Sequence, residues 1–444
     1  MMKQLERVLI QADSSAHDFI PLNALDLLTG HLSMAGVYFF NRVPDVERLK
    51  ETLKKALNRY PIYSASLVRR NGSVCIYRNN VGVWFSVCEA DFPQPDVDAM
   101  TPIDEQSPLI EPPAEGDILS GVVPLSSFKV IVFNDNTWAL AVRAIHSIVD
   151  GTAFSHFLRA WGKLYGGETL PLPSSYSREE IAKLGVGNGH QPSAKFSILP
   201  SVNFSLGQTL RSNKTHFEYI NVDIDAATLE RAVTHAREHV DIPLSSSDII
   251  HAIAWRAFAL SNLLDPNRYC RIYTASDLKR IKELGIPDDF EGNATIERFA
   301  QLPVRTLAAL DIAAIGVRFR EQVKPVTAME IRLDIAYLNR ELALGRTRES
   351  NGTFTSFVRG SLVDCLDGTG VIVNDYRFLD AAQVTFEDRT FWFETVQDLG
   401  FAAIFVYRKL NGSIVFRYVG ERSSLEPFAQ HVRDCLRVEE LELC

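Results

Sequence analysis

The stretch Ala144–Phe157, AIHSIVDGTAFSHF, decides how this chain is read. It sets His146, Asp150 and Gly151 in an H-x-x-x-D-G spacing between an apolar run and an amphipathic one. A histidine can serve as a general base because its ordinary pKa lies near working pH. The imidazole must then be held at a fixed tautomer and angle. An aspartate four residues on can brace the loop, and a glycine lets the chain turn into a helix. The spacing alone equally suits a satisfied core histidine followed by an aspartate that only caps a helix.

Upstream, Phe128 to Phe133 and Trp138 to Ile145 are apolar runs separated by Asn134, Asp135 and Asn136. They predict a hairpin of two largely buried strands. Downstream, Phe154, Phe157, Leu158, Trp161, Leu164 and Tyr165 recur at helical spacing, and Gly166-Gly167 closes the pattern. His146 is therefore expected where a buried strand ends and a loop begins, a common station for catalytic groups.

Segments elsewhere keep the same company. Pro21-Leu22-Asn23-Ala24-Leu25-Asp26 stands near the N-terminus, followed by LKETLKKALNRYPIYSASL from Leu49 to Leu67. Ser245-Ser246-Ser247-Asp248 precedes Ala252 and Trp255. Asp277-Leu278-Lys279-Arg280 and Gly292-Asn293 come later, and Asn374-Asp375-Tyr376 later still. In order and content the chain resembles the BAHD acyltransferases, within the wider superfamily of condensation domains and chloramphenicol acetyltransferase. These segments look like the family's P-L-S-x-L-D segment, first helix, active-site loop, S-x-x-D helix, D-x-R segment, G-N pair and T-N-W segment.

The departures are specific. The superfamily's first histidine is Ile145 here, a loss that BAHD enzymes share. The D-x-R arginine falls at Lys279, with Arg280 beside it. The family's D-F-G-W-G falls on Thr385-Phe386-Glu387-Asp388-Arg389, where only the phenylalanine remains. The resemblance is thus to a divergent microbial or fungal-type member.

The resemblance implies an α/β (α+β) fold of two chloramphenicol-acetyltransferase-like lobes, with mixed sheets flanked by helices and a channel between them. It implies transfer of an acyl group from an acyl-CoA thioester to a hydroxyl or amine of a small-molecule acceptor, as in secondary metabolism. His146 would be the general base. Asp150 would be turned away from substrate toward Lys279, or toward Arg280 if the register slips by one, with Gly151 supporting the turn. Asn374 is a candidate contact to acceptor or intermediate, and Asn293 a candidate substrate-binding residue. Acyl-CoA would be a co-substrate, with no bound cofactor and no metal. A condensation-type enzyme fed by a carrier protein, and a non-catalytic binding relative, are the competing readings.

Composition agrees with this class. The chain has 444 residues, 46% hydrophobic and 23% charged, which suits a folded globular protein with a large core. A net charge of −9 without a long basic run speaks against nucleic acid and anionic membranes as partners. The N-terminus, MMKQLERVLIQADSSAHDF, lacks the apolar core of a signal peptide. Six cysteines without C-x-x-C spacing suggest reduced thiols. A cytoplasmic monomer is expected.

Organisation follows from periodicity. Residues 1–170 read as an N-terminal lobe carrying the motif and 215–444 as a C-terminal lobe. The prolines, glycines and serines of 171–214 read as a crossover linker. His235-Ala-Arg-Glu238-His239 matches a metal-protease pattern, but a solvated helix face accounts for it. Gly185-Val-Gly-Asn-Gly189 lacks the apolar helix of a dinucleotide fingerprint and reads as a flexible loop. His156 is placed on the surface of the motif helix.

Overall fold

The computed structural model describes the chain except for residues 31, 97–102, 104–106, 113–114, 200–216, 263–264, 325, 351–353, 380–383, 389, 391, 396–399, 410 and 438–444. The motif hairpin is formed by Ser126–Val132 and Trp138–Ile145, antiparallel, with Val132 opposite Trp138. Asn136 takes the left-handed turn position at φ 63°, and the Asp135 carboxylate accepts from the Thr137 amide at 3.1 Å. Those are the turn duties for which Asn and Asp are suited.

The hairpin lies inside a six-stranded mixed sheet. Its order is Met2–Ile10, Val83–Ala90, Ser126–Val132, Trp138–Ile145, Ser33–Phe40, Trp392–Thr395. All neighbours are antiparallel except Val83–Ala90 against Ser126–Val132. A second six-stranded sheet runs Phe217–Ile224, Ile414–Glu421, Ala403–Arg408, Gly370–Asp375, Tyr269–Asp277, Thr295–Pro303, with two parallel pairings at its centre. The two sheets of mixed strands flanked by helices match the expected fold class.

One core gathers around the motif helix, Gly151–Tyr165, which buries Phe154, Phe157, Leu158 and Trp161 against the first sheet and Val46–Arg59. Another surrounds Ser246–Asn262, whose Ile249, Ile253, Trp255 and Phe258 are fully buried under the second sheet. A third joins the lobes: Val37, Phe39, Ile131, Ala139 and Ala141 meet Ala403, Phe405, Tyr407 and Val415. The sheets thus pack face to face over part of their area.

The 1–170 and 215–444 division is not clean in space. Trp392–Thr395 is an edge strand of the first sheet, and Ile331, Ile335 and Leu338 of helix Ala328–Ala343 lie in the first core. Within the expected linker, Ser177 and Glu180 form a capping box that starts a short helix, Arg178–Lys183. Six residues are too few to announce themselves by periodicity. Nor is 185–193 a free loop. A Cβ on Gly189 would come within 2.5 Å of the Ala336 carbonyl oxygen, and Ser193 donates to Asp334 through its amide at 2.6 Å and its hydroxyl at 3.0 Å.

Candidate active site

His146 follows the last residue of the motif strand and is gripped through its backbone. Its amide donates to the Leu32 carbonyl at 2.7 Å. Its carbonyl accepts from Asn293 Nδ2 at 2.9 Å and Thr29 Oγ1 at 3.3 Å. Asn293 Nδ2 also reaches Asp26 Oδ1 at 2.9 Å, and Asp26 pairs with Arg178 Nε at 3.2 Å. Arg178 in turn donates to the Ile148 carbonyl inside the loop. Asp26, Asn293 and Arg178 are all buried, so this network is sealed from water.

The His146 side chain is half-buried, with Nδ1 inaccessible and without a hydrogen-bond partner. Burial holds its pKa below the ordinary histidine value, and nearby Arg359 adds to this. The loop carbonyls of His146 and Val149 and the Asp150 carboxylate pull the other way. The outcome is a neutral imidazole near pH 7, with a lone pair available for a proton.

Asp150 is both cap and brace. Its Oδ1 accepts from the Ala153 amide at 2.8 Å, the helix N-cap bond. Its Oδ2 accepts from the Ala294 amide at 2.8 Å and from Thr295 Oγ1 at 3.0 Å. Gly151 begins the helix directly after it.

Lys279 stands 3.8 Å from Asp150 Oδ1, both side chains 2% exposed, and its Nζ makes no hydrogen bond. It is a charge partner at arm's length. A lysine lacks arginine's bidentate fork, and the main chain at Ala294 supplies the close contact instead. Arg280 does not take that place: its side chain is 66% exposed and turns to Asp277 at 3.9 Å. It follows Lys279 in a short 3-10 helix, so it projects elsewhere.

The structure brings together His146, Asp150, Gly151, Lys279 and Asn293. Asn293 is expected at substrate, yet its amide nitrogen donates to Asp26 and to the His146 carbonyl, so it positions the loop. Asn374 lies half-buried on Gly370–Asp375 of the second sheet, opposite Phe405, and no hydrogen bond joins it to the His146 loop among the described residues. His156 is half-buried, not on the surface, 3.4 Å from the Tyr60 hydroxyl. His239 Nδ1 sits 2.7 Å from the His235 carbonyl, a contact internal to its helix. Among the described residues no group of three or more His, Cys, Asp or Glu side chains is placed to hold a metal ion.

Sequence reasoning missed Arg178 and Thr295. Each meets the motif from a distant part of the chain and carries no local signal. Asp26 lay in a recognised segment, but its pairing with Arg178 and Asn293 was not readable there. The remaining phenylalanine of the eroded C-terminal segment, Phe386, stacks edge-on against Phe40, Trp138, Trp161 and Tyr165.

The model of a family described as the transferase family matches residues 2–364. The chain belongs to this family, the BAHD acyltransferases. A hydroxycinnamoyltransferase of Narcissus pseudonarcissus is 25% identical over 280 residues, covering 61% of this chain and 63% of that enzyme, so just under two thirds of its length. Hydroxycinnamoyltransferase 1 of Oryza sativa subsp. japonica is 26% identical over 373 residues, covering 78% of this chain and 83% of that one. Vinorine synthase shares the fold with a TM-score of 0.66 at 16% identity, covering 100% of this chain and 98% of that chain. TRI101 of F. sporotrichioides, solved with coenzyme A and T-2, gives 0.69 at 13% identity, covering 96% and 98%.

Proposed function

We propose that this BAHD-family chain transfers an acyl group from an acyl-CoA thioester to a hydroxyl or amine of a small-molecule acceptor, with His146 as general base. The observation that carries the reading is the state of His146. Its backbone is fixed by Leu32, Thr29 and Asn293, and burial holds its pKa below the ordinary histidine value. Family membership and the coenzyme A complex of a fold neighbour support the donor class.

In this reading the acceptor's O–H or N–H lies against Nε2. As its oxygen or nitrogen attacks the thioester carbonyl carbon, Nε2 takes the proton and the C=O electrons move onto oxygen. Collapse re-forms the carbonyl, breaks the C–S bond and releases the coenzyme A thiol, which takes a proton back from the imidazolium. Holding both substrates in register can lower the barrier by ~7–11 kcal/mol. General-base action typically contributes about 10²–10⁴-fold. Asp150 points into the protein and preserves the loop.

The test is a panel of acyl-CoA thioesters offered with alcohols and amines, read by thiol release and by mass of the product. Acceptor-dependent thiol release with a new ester or amide supports the reading. Release that ignores the acceptor, or none across the panel, overturns it.

A further inference from the structure

The helix Ala226–Glu238 packs Ala232, Val233 and Ala236 into the core of the second lobe and turns its other side to solvent. On that side stand His235, half-buried, and His239, exposed at the helix end. Residues four apart are neighbours on a helix, and each side chain leans back toward the preceding turn. The two imidazoles accordingly meet, with ring centroids 4.1 Å apart and planes tilted by 43°. In space the H-x-x-E-H spacing is a pair of rings in contact on a solvated face.

Hydrogen bonding fixes which nitrogen of His239 is free. Its Nδ1 lies 2.7 Å from the His235 carbonyl, and a carbonyl only accepts, so Nδ1 carries a proton. In the neutral ring the lone pair is then on Nε2. Metal-ligating histidines share this arrangement, one nitrogen donating to a carbonyl and the other left to coordinate. The His235 ring makes no hydrogen bond to a described residue, so it can turn a nitrogen toward the same point. The nearest cations on the helix are drawn away. Arg231 Nη2 donates to Thr228 Oγ1 at 2.9 Å, and Arg237 Nε to the Leu244 carbonyl at 2.7 Å. Glu238, exposed in the same turn, adds negative charge.

We infer that His235 and His239 form a binding site for a divalent transition-metal ion, with solvent completing its coordination. The class of ion follows from the ligands. Imidazole suits Ni²⁺, Cu²⁺ and Zn²⁺, whereas Mg²⁺ and Ca²⁺ take oxygen ligands. Among the described residues no third His, Cys, Asp or Glu joins the pair, so the ion keeps open positions and exchanges with solution. Its effect is on the helix and not on acyl transfer. Bridging one residue to the next turn staples the helix end, where the last carbonyls lack helical partners.

Calorimetry tests this on the full chain, freed of metal by dialysis against a chelator, with NiCl₂ at about pH 7.5, where histidine is neutral. Wild type should take up one Ni²⁺ per chain. His235→Ala and His239→Ala should each weaken that binding at least about tenfold, since losing a ligand costs no less than losing an outer-shell partner. His17→Ala, which removes an exposed histidine elsewhere, should leave it unchanged. Affinity should fall from Ni²⁺ through Co²⁺ to Mn²⁺. Binding should fade as pH drops through about 6.5, where imidazole protonates. Ni²⁺ should also raise the urea midpoint of wild type and of neither variant. If an alanine variant lacks a urea transition, His235→Gln or His239→Gln takes its place. No Ni²⁺ binding, binding undiminished in either variant, or equal displacement by Mg²⁺ overturns the inference.

Discussion

At the scale of single residues, Asp150 and Asn293 hold a histidine without touching its ring. Asp150→Ala removes the N-cap and leaves the Ala294 amide without its acceptor. A cap is worth about 1 kcal/mol, and an orphaned buried donor about 1–3 kcal/mol. The variant should therefore lose about 2–4 kcal/mol of unfolding free energy in urea as well as activity. A variant as stable as wild type would mean that the three bonds to this carboxylate matter little. The His146 pKa gives a second expectation. The neutral form is the base, and burial moves its protonation below the ordinary value of 6.5. The acid limb of kcat/KM should accordingly have its midpoint below 6.5, with activity kept as pH falls through that value and lost only beneath it. A midpoint above 6.5 would place the titrating group elsewhere.

At the scale of elements, the motif strand, turn and helix were legible because their periodicities and turn residues are local. The hairpin and the helix face are where Asn136, Gly151 and the aromatic spacing put them. The support was not legible, because Asn293 meets His146 across 147 residues and Ala294 meets Asp150 across 144. No window of sequence holds both ends of such a bond. The same holds for the motif helix and the segment around Phe386. A Cβ on Gly162 would overlap the Thr385 carbonyl, so the helix lies directly against main chain that cannot swing aside like a side chain. Gly162→Ala should cost about 1–3 kcal/mol, the usual penalty for overpacking. Unchanged urea midpoints would show that the segment at 385 shifts freely.

At the scale of the whole molecule, the halves are interleaved more than composition suggested. A strand at 392–395, Phe386 and the helix Ala328–Ala343 complete the first core from the second half of the chain. Residues 1–170 expressed alone should lack a cooperative urea transition, and brief proteolysis should spare Gly185–Ser193, which is pinned to that helix. Fold class was readable because the short segments that carry the family resemblance, from Pro21–Asp26 to Asn374–Tyr376, keep their order along the chain. Gly185–Ser193 was misread as a loose loop because glycines that permit close approach look the same in sequence as glycines that permit flexibility. The central claim is that His146 is the base of an acyl transfer. Its most direct measurement is steady-state thiol release by His146→Ala, with circular dichroism and the urea midpoint confirming a wild-type fold. The account predicts a folded protein slowed by at least about 10²-fold, whereas near-normal turnover by that folded variant would contradict it.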